Sequence, residues 1–149
     1  MSESQDSNAA RTPRHVWGVG IFALLWNAMG GVDFVMTQSG NEEYLAQFTP
    51  EQREFFQGLP VWVVAAWGIA VWGSVLGSVL LLLRKSLAAP VFLVAFVAML
   101  VTTFHNFVLA DGLEVMGGTF ELVFSGVIFA VGLLLWVYAR ALSRRGVLS

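Results

Sequence analysis

The chain has 149 residues, of which 57% are hydrophobic and 12% charged, and its formal net charge is −2 at pH 7. Soluble domains carry about 25% charged residues, so this composition predicts a surface that faces lipid. The chain has no cysteine, which excludes disulfides, thiolate catalysis and iron–sulfur centres. The small net charge gives no reason to expect a nucleic-acid partner, and there is no P-loop or GxGxxG pattern.

Four long apolar runs follow a polar N-terminal segment. Residues 1–14 are rich in Ser, Asn and Asp, which predicts a disordered tail. A helix needs about 20 apolar residues to cross a bilayer, and the runs that meet this length are 16–36, 60–83, 90–109 and 119–142. The first run is too long for a signal-peptide core and lacks a cleavage site. We therefore predict an all-α integral membrane four-helix bundle over residues 15–143, with a basic tail at 144–149.

The polar segment between the first two spans is predicted to form two short interfacial helices. Asn41 is placed to cap a helix over residues 42–48. Thr49 is placed to cap a second helix with Pro50 at its first position. The segment also carries aromatic side chains, which we expect to rest on the membrane interface or on the end of the bundle. These are Tyr44, Phe48, Phe55 and Phe56.

Basic residues are distributed unequally across the predicted membrane. Of the eight Lys and Arg residues, only Arg53 lies on the side of the first loop. The others are Arg11, Arg14, Arg84, Lys85, Arg140, Arg144 and Arg145. Because short loops rich in Lys and Arg stay in the cytoplasm, we predict that both termini are cytoplasmic and that the chain lies in a bacterial inner membrane.

Gly73 and Gly77 form a GxxxG pair in the second span, within a stripe of small residues that includes Ala66 and Ala70. Small residues let helix backbones approach closely in lipid, where no hydrophobic effect drives association. The pair therefore predicts a close helix–helix contact. The sequence leaves open whether the second helix belongs to the same bundle or to another copy in a homodimer.

Three ionisable residues lie within or at the margin of the spans. Asp33, His105 and Glu121 belong to three different helices and lie about 3–8 Å below the outer boundary, at 1.5 Å per residue. Ionisable groups in a span are costly and usually face the bundle interior. This layer is the candidate polar site. It is completed by polar residues on the same helix faces, Asn106 and Ser125.

Each member of this layer also has a structural explanation. Glu121 lies in the first turn of its helix, where the helix dipole favours an anion, and a neutral His105 can bond to a backbone carbonyl. Asp33 lies near a helix C-terminus, where the dipole disfavours a negative charge. We therefore expect it to be protonated or paired, with His105 as its partner. A structural pair, a proton-coupled role and a ligand-binding role all remain open.

Asn27 and Thr102 are the polar residues predicted near the middle of the membrane. Asn27 lies about 15 Å from the outer boundary at 1.5 Å per residue. We expect an interhelical hydrogen bond from Asn27 to Thr102 or Thr103, the alternative being that Asn27 lines a solute path. No histidine and carboxylate spacing supports a metal site, so we expect neither a metal nor a cofactor.

Three segments resemble a group of small four-helix proteins of bacterial inner membranes. They are LLWNAMGGVDF (24–34), FTPEQREFF (48–56) and LPVWVVAAWGIAVWGSVLGSVLLLLRK (59–85). The resemblance extends over nearly the whole chain after the tail. Proteins of this group are loosely described as sugar transporters or membrane proteins. The resemblance implies the four-helix topology and brings no catalytic or binding motif.

The sequence favours a non-enzymatic membrane protein that binds or assists another membrane protein. This interpretation depends on the small-residue stripe, the aromatic outer loop and the lack of a catalytic motif. The alternative is a transporter or permease for a small polar solute such as a sugar, which the polar layer favours. Because four helices seldom enclose a pathway alone, a transporter requires an oligomer. A membrane enzyme ranks last, since no nucleophile or metal constellation accompanies the layer.

Overall fold

The computed structural model describes residues 13–110, 112–115 and 119–149, with side chains for 13–110, 114–115 and 122–149. Nearly all of the predicted N-terminal tail lies outside these ranges. The described residues form helices joined by turns and short connections, without a strand. The helices are α1 (Arg14–Gln38), α2 (Glu42–Leu45), α3 (Pro50–Gln57), α4 (Val61–Leu82), α5 (Ala88–Phe104), α6 (Gly112–Val115) and α7 (Thr119–Arg144). One π-helical turn, His105–Leu109, continues α5.

Four of these helical segments are long and apolar enough to cross a membrane. They are 14–38, 61–82, 88–109 and 122–144, and the third combines α5 with its π-helical turn. The prediction of an all-α protein with four membrane-length helices is confirmed. By the length and composition of these segments, the chain is a multi-pass membrane protein.

The ends of α4 and α7 follow from local backbone signals. After α4, the Lys85 N–H donates to the Leu80 carbonyl at 2.9 Å, and Arg84 adopts a left-handed φ of 56°. This is the Schellman arrangement, in which one left-handed residue reverses the chain and satisfies the last carbonyls. Gly146, with a φ of 74°, ends α7 in the same way. Arg84 lacks the conformational freedom of glycine, so its turn carries a cost of about 1 kcal/mol.

The order of the long helices around the bundle determines which side chains can meet. Helix α4 packs between α1 and α5, and α5 packs between α4 and α7. Helices α1 and α7 meet through His15 and Tyr138, whose Nδ1 and hydroxyl oxygen are 2.6 Å apart. They meet again where the Trp26 and Phe124 ring centroids are 6.1 Å apart. Helices α1 and α5 are therefore not adjacent in this order.

Gly73 and Gly77 lie where α4 packs against α5. A Cβ atom at Gly73 would be 3.1 Å from the Cβ of Ala95, and one at Gly77 would be 2.7 Å from the Cε1 of Phe92. Both separations are shorter than ordinary van der Waals contact. The two glycines thus permit the close approach of α4 to α5, and this face of α4 is covered by a helix of the same chain.

The main hydrophobic core lies toward the end of the bundle that carries Arg14 and Arg144, here called the terminal end. The last residues of the sequence fold back onto it. The Ser149 N–H donates to the Arg84 carbonyl at 2.9 Å, and the Ser86 N–H donates to the Ser149 carbonyl at 3.0 Å. The predicted basic tail is therefore docked rather than extended. The core cluster comprises Val16, Ala23, Leu81, Ala88, Ala89, Phe92, Leu135, Ala139, Leu142 and Leu148.

Candidate functional site at the loop end

The end of the bundle opposite the terminal end carries α2 and α3 and is here called the loop end. Both short helices start at the predicted caps. The Asn41 side chain accepts from the Tyr44 N–H at 2.9 Å. Thr49 and Gln52 form a reciprocal capping box, with Pro50 at the first position of α3. Side-chain caps satisfy N–H groups that a helix leaves unpaired, so this short segment has a defined conformation.

An aromatic cluster fixes α2 and α3 on the long helices. Ring centroids are 5.9 Å apart for Tyr44 and Phe48, and 5.7 Å apart for Phe48 and Phe56. The cluster continues from Phe56 to Trp67 of α4 at 6.2 Å. Trp67 in turn makes an edge-to-face contact with Phe34 of α1 at 4.9 Å. Aromatic pairs at these distances add to the stabilisation from burial, so the loop aromatics hold the two short helices against the bundle.

Asp33 is paired with Tyr44. His105, the predicted partner, does not contact it in the structure. The Tyr44 hydroxyl donates to Asp33 Oδ1. Burial, followed by the hydrogen bond to Asp33 and its negative charge, raises the pKa of Tyr44 to about 12. The predicted pair fails because α1 and α5 are not adjacent helices of the bundle. Equal depth in the membrane does not make two side chains neighbours.

His105 is the first residue of the π-helical turn and is 7% exposed. Its Nδ1 lies 3.1 Å from Oδ1 of Asn106. Its ring makes a perpendicular contact with Trp62 of α4, with 5.3 Å between the centroids. Single π-helical turns within α-helices are rare and often coincide with functional sites. The turn places the buried imidazole of His105 against the start of α4.

A cavity of about 460 Å³ lies between α3, the start of α4 and this turn. Its ionisable lining groups are Glu51 and Glu54, which are exposed, and the buried His105. The remaining lining residues are Phe55, Gly58, Leu59, Pro60, Ala110 and Val115. A second cavity of about 360 Å³ lies on the side of α1, lined by Thr37, Gln38, Gly40, Phe56, Gln57, Leu59, Val61 and Val64. Both cavities are at the loop end.

The predicted polar layer is divided between two places. His105 and Asn106 are in contact, whereas Asp33 bonds to α2. Ser125 is half-buried on α7, and the side chain of Glu121 lies outside the described residues. The sequence interpretation missed Glu51 and Glu54 as neighbours of His105, although their spacing of three residues on a capped helix indicated a common face.

The polar contact near the middle of the bundle joins α1 to α4. Asn27 Nδ2 donates to Ser78 Oγ at 2.9 Å and to the Ser74 carbonyl at 3.3 Å. The predicted interhelical hydrogen bond is thus present, but with a different partner. The hydroxyls of Thr102 and Thr103 donate to carbonyls of their own helix, at 3.0 and 2.8 Å. The small-residue helix, α4, supplies the polar partner because it is the neighbour of α1.

Comparisons with protein-family models, with curated proteins and with solved structures found no match to this chain. The chemistry of the loop end is therefore the basis for a functional conclusion. Among the side chains that the structure describes, no three His, Cys, Asp or Glu residues are grouped to hold a metal ion. The larger of the two cavities offers a ligand two carboxylates, one imidazole and an apolar wall.

Proposed function

We propose that the chain is a multi-pass protein of a bacterial inner membrane, with the terminal end in the cytoplasm and the loop end outside. The unequal distribution of basic residues supports this orientation, since Arg53 alone would lie outside. Helices α2 and α3 would then lie at the outer interface, where aromatic side chains are favoured. Lipid would surround the exposed apolar faces of the four long helices.

We further propose a non-enzymatic accessory role, in which the loop end binds another membrane protein. The observation that carries this proposal is the fixed acidic surface of α2 and α3. Arg53 Nε donates to the Leu45 carbonyl at 2.7 Å, so the basic residue of this segment is used internally. Glu42 and Glu43 on α2 and Glu51 and Glu54 on α3 are exposed. A preorganised acidic surface suits a partner with a basic outer loop.

Charge reversal on α2 tests the accessory role. The chain is purified from native membranes in mild detergent, alone and as Glu42→Lys with Glu43→Lys. A partner that co-purifies with the wild type should be lost from this variant. It should be retained by Arg144→Glu with Arg145→Glu, which changes two charges at the terminal end. Isolation of the wild type as a lone chain would overturn the proposal, as would equal loss of the partner in both variants.

Transport of a small polar solute, such as a sugar, by an oligomer is the second candidate function. It is favoured by one observation, that both cavities lie at the loop end while the hydrophobic core closes the terminal end. A bundle open on one side matches one state of an alternating-access cycle. Uptake of labelled sugar into vesicles should be lost in His105→Gln and in Asp33→Asn. Uptake by both variants at the wild-type rate would contradict this function.

A further inference from the structure

We propose that the cavity between α3 and the π-helical turn binds a small organic cation with an apolar body. Glu51 and Glu54 would attract its positive charge, and His105 would accept a hydrogen bond from a donor group of the ligand. This proposal deepens the solute candidate by naming a ligand class. It requires binding only, so it can hold even if no transport occurs.

The hydrogen bond of His105 determines what its ring offers to the cavity. Asn106 presents an amide oxygen to Nδ1 at 3.1 Å, and an amide oxygen can only accept. In the tautomer whose Nδ1–H donates to Asn106, Nε2 of the neutral imidazole carries a lone pair that can accept a hydrogen bond. Because His105 is 7% exposed and lines the cavity, the cavity is where this lone pair can find a donor.

The ionisable side chains described around the cavity, Glu51, Glu54 and a neutral His105, offer acceptors and negative charge. Glu51 and Glu54 are carboxylates that accept only. One backbone donor of the lining, the Gly58 N–H, already donates to the Glu54 carbonyl at 2.9 Å. A ligand that satisfies such a set must bring N–H donors and a positive charge. A primary or secondary ammonium group has both.

The remaining wall and the cavity size indicate an organic ligand. Phe55, Leu59, Pro60, Ala110 and Val115 provide apolar surface. The volume of about 460 Å³ lies within the range of about 300–1,000 Å³ typical of small-molecule sites. A bare divalent ion would require clustered ligands, which the described side chains do not form. An ammonium group on a hydrocarbon body suits both parts of the cavity.

The helix that carries the two carboxylates is held in place before a ligand arrives. The Gln52 N–H donates to Thr49 Oγ1 at 3.2 Å in the capping box, which fixes the start of α3. Phe56 contacts Trp67 and fixes the opposite side of α3 on the bundle. Glu51 and Glu54, three residues apart, lie on one face of this helix. A site that is ordered in advance loses less conformational entropy when it binds.

A neutral and a charged ligand of the same shape test the proposal. The full chain is placed in phosphatidylcholine nanodiscs with His15→Gln, which leaves His105 as the one histidine of the two in the sequence. Its ring resonances are followed by NMR during titration with phenethylamine and, separately, 2-phenylethanol. The ammonium compound should give a saturable shift. The alcohol should bind at least about tenfold more weakly, as expected for loss of charge-assisted hydrogen bonds.

Matched double variants distinguish the site from general attraction to an acidic protein. Glu51→Gln with Glu54→Gln should weaken phenethylamine binding at least about tenfold, with unchanged helical circular dichroism. Glu42→Gln with Glu43→Gln makes the same change in net charge on α2 and should leave binding unchanged. Equal weakening in both variants, equal shifts from the alcohol, or no saturable shift would overturn the proposal. Saturable binding without uptake would contradict transport and leave this site intact.

Discussion

Asp33 illustrates how one residue in an apolar helix obtains a partner from another part of the chain. A carboxylate near a helix C-terminus faces an unfavourable dipole, and α1 contains no basic residue in its last turn. The partner is the Tyr44 hydroxyl, which α2 places beside it. A hydroxyl stabilises a carboxylate without adding a second buried charge, which would bring its own desolvation cost. The same contact joins α2 to α1.

The Tyr44–Asp33 contact predicts an unusual tyrosine titration. Tyr138→Phe leaves Tyr44 as the only tyrosine of the two, and its absorbance should then change near pH 12. Asp33→Asn should lower this pKa toward the ordinary value of 10.0 without reaching it, because burial is the larger cause. Since the pKa is raised by folding, this contribution to stability is complete below about pH 10 and is lost as pH rises toward 12.

Spectrophotometric titration of Tyr138→Phe, with and without Asp33→Asn, in phosphatidylcholine nanodiscs measures the difference in the pKa of Tyr44. Glu43→Gln in the Tyr138→Phe background is the matched control, since it removes the carboxylate of the adjacent residue, which is not a cause of the raised pKa of Tyr44. An identical pKa with and without Asp33 would contradict the contact. An equal decrease in the Glu43 variant would show that general negative charge, and not the Asp33 hydrogen bond, raises the value.

At the scale of elements, the sequence predicts the features that depend on local residues alone. Apolar runs longer than a bilayer crossing predicted four helices, and Asn41 and Thr49 predicted the starts of α2 and α3. Contacts between helices depend on which helix neighbours which, and apolar runs do not encode that order. For this reason Asn27 bonds to α4 rather than to Thr102, and the candidate layer of polar residues is divided.

The two glycines of the GxxxG pair carry a prediction about helix packing. Gly77→Ala should destabilise the bundle, because its Cβ would lie 2.7 Å from the ring of Phe92, which is 3% exposed and would have to shift within the core. Gly126→Ala in α7 is the matched control, since nothing lies within 4 Å of that position. Both changes gain the same helix propensity, so the difference between them should be about 1–3 kcal/mol in favour of the control.

Unfolding of the two alanine variants in detergent, followed by circular dichroism, measures this difference directly. Cross-linking of both proteins in membranes adds a readout for self-association. Equal stabilities would contradict a close α4–α5 contact at Gly77. Loss of a cross-linked dimer without loss of stability would instead assign the glycine pair to an interface between copies.

At the scale of the whole molecule, the two ends of the bundle differ in construction. The terminal end contains the continuous core and the folded-back residues 147–149, with Leu148 only 4% exposed. The loop end contains both cavities, the π-helical turn and the polar side chains. A compact base that supports a less closely packed, polar end is a common arrangement for binding sites, because a rigid scaffold holds the functional groups in position.

Because the core lies at the terminal end, we expect that shortening the side chain of Leu148 lowers the free energy of unfolding. Leu148→Ala should destabilise the bundle by about 2 kcal/mol, the lower part of the range for buried leucines. Leu134→Ala, at a position of α7 that is 65% exposed, is the control and should have little effect. Thermal unfolding in detergent compares the two. Equal midpoints would show that residues 147–149 do not stabilise the terminal end.

The proposed orientation of the molecule can be tested with single cysteines, because the natural sequence contains none. Glu43→Cys on α2 and Ser86→Cys in the α4–α5 loop are both exposed positions, and they lie at opposite ends of the bundle. If basic residues hold the terminal end in the cytoplasm, a membrane-impermeant maleimide should label Glu43→Cys in cells whose outer membrane alone is permeabilised. It should label Ser86→Cys only after the inner membrane is disrupted. The unmodified chain is the control for background labelling. The reverse pattern would place the cavity and its carboxylates in the cytoplasm, and labelling of both positions before disruption would contradict an arrangement with one end on each side.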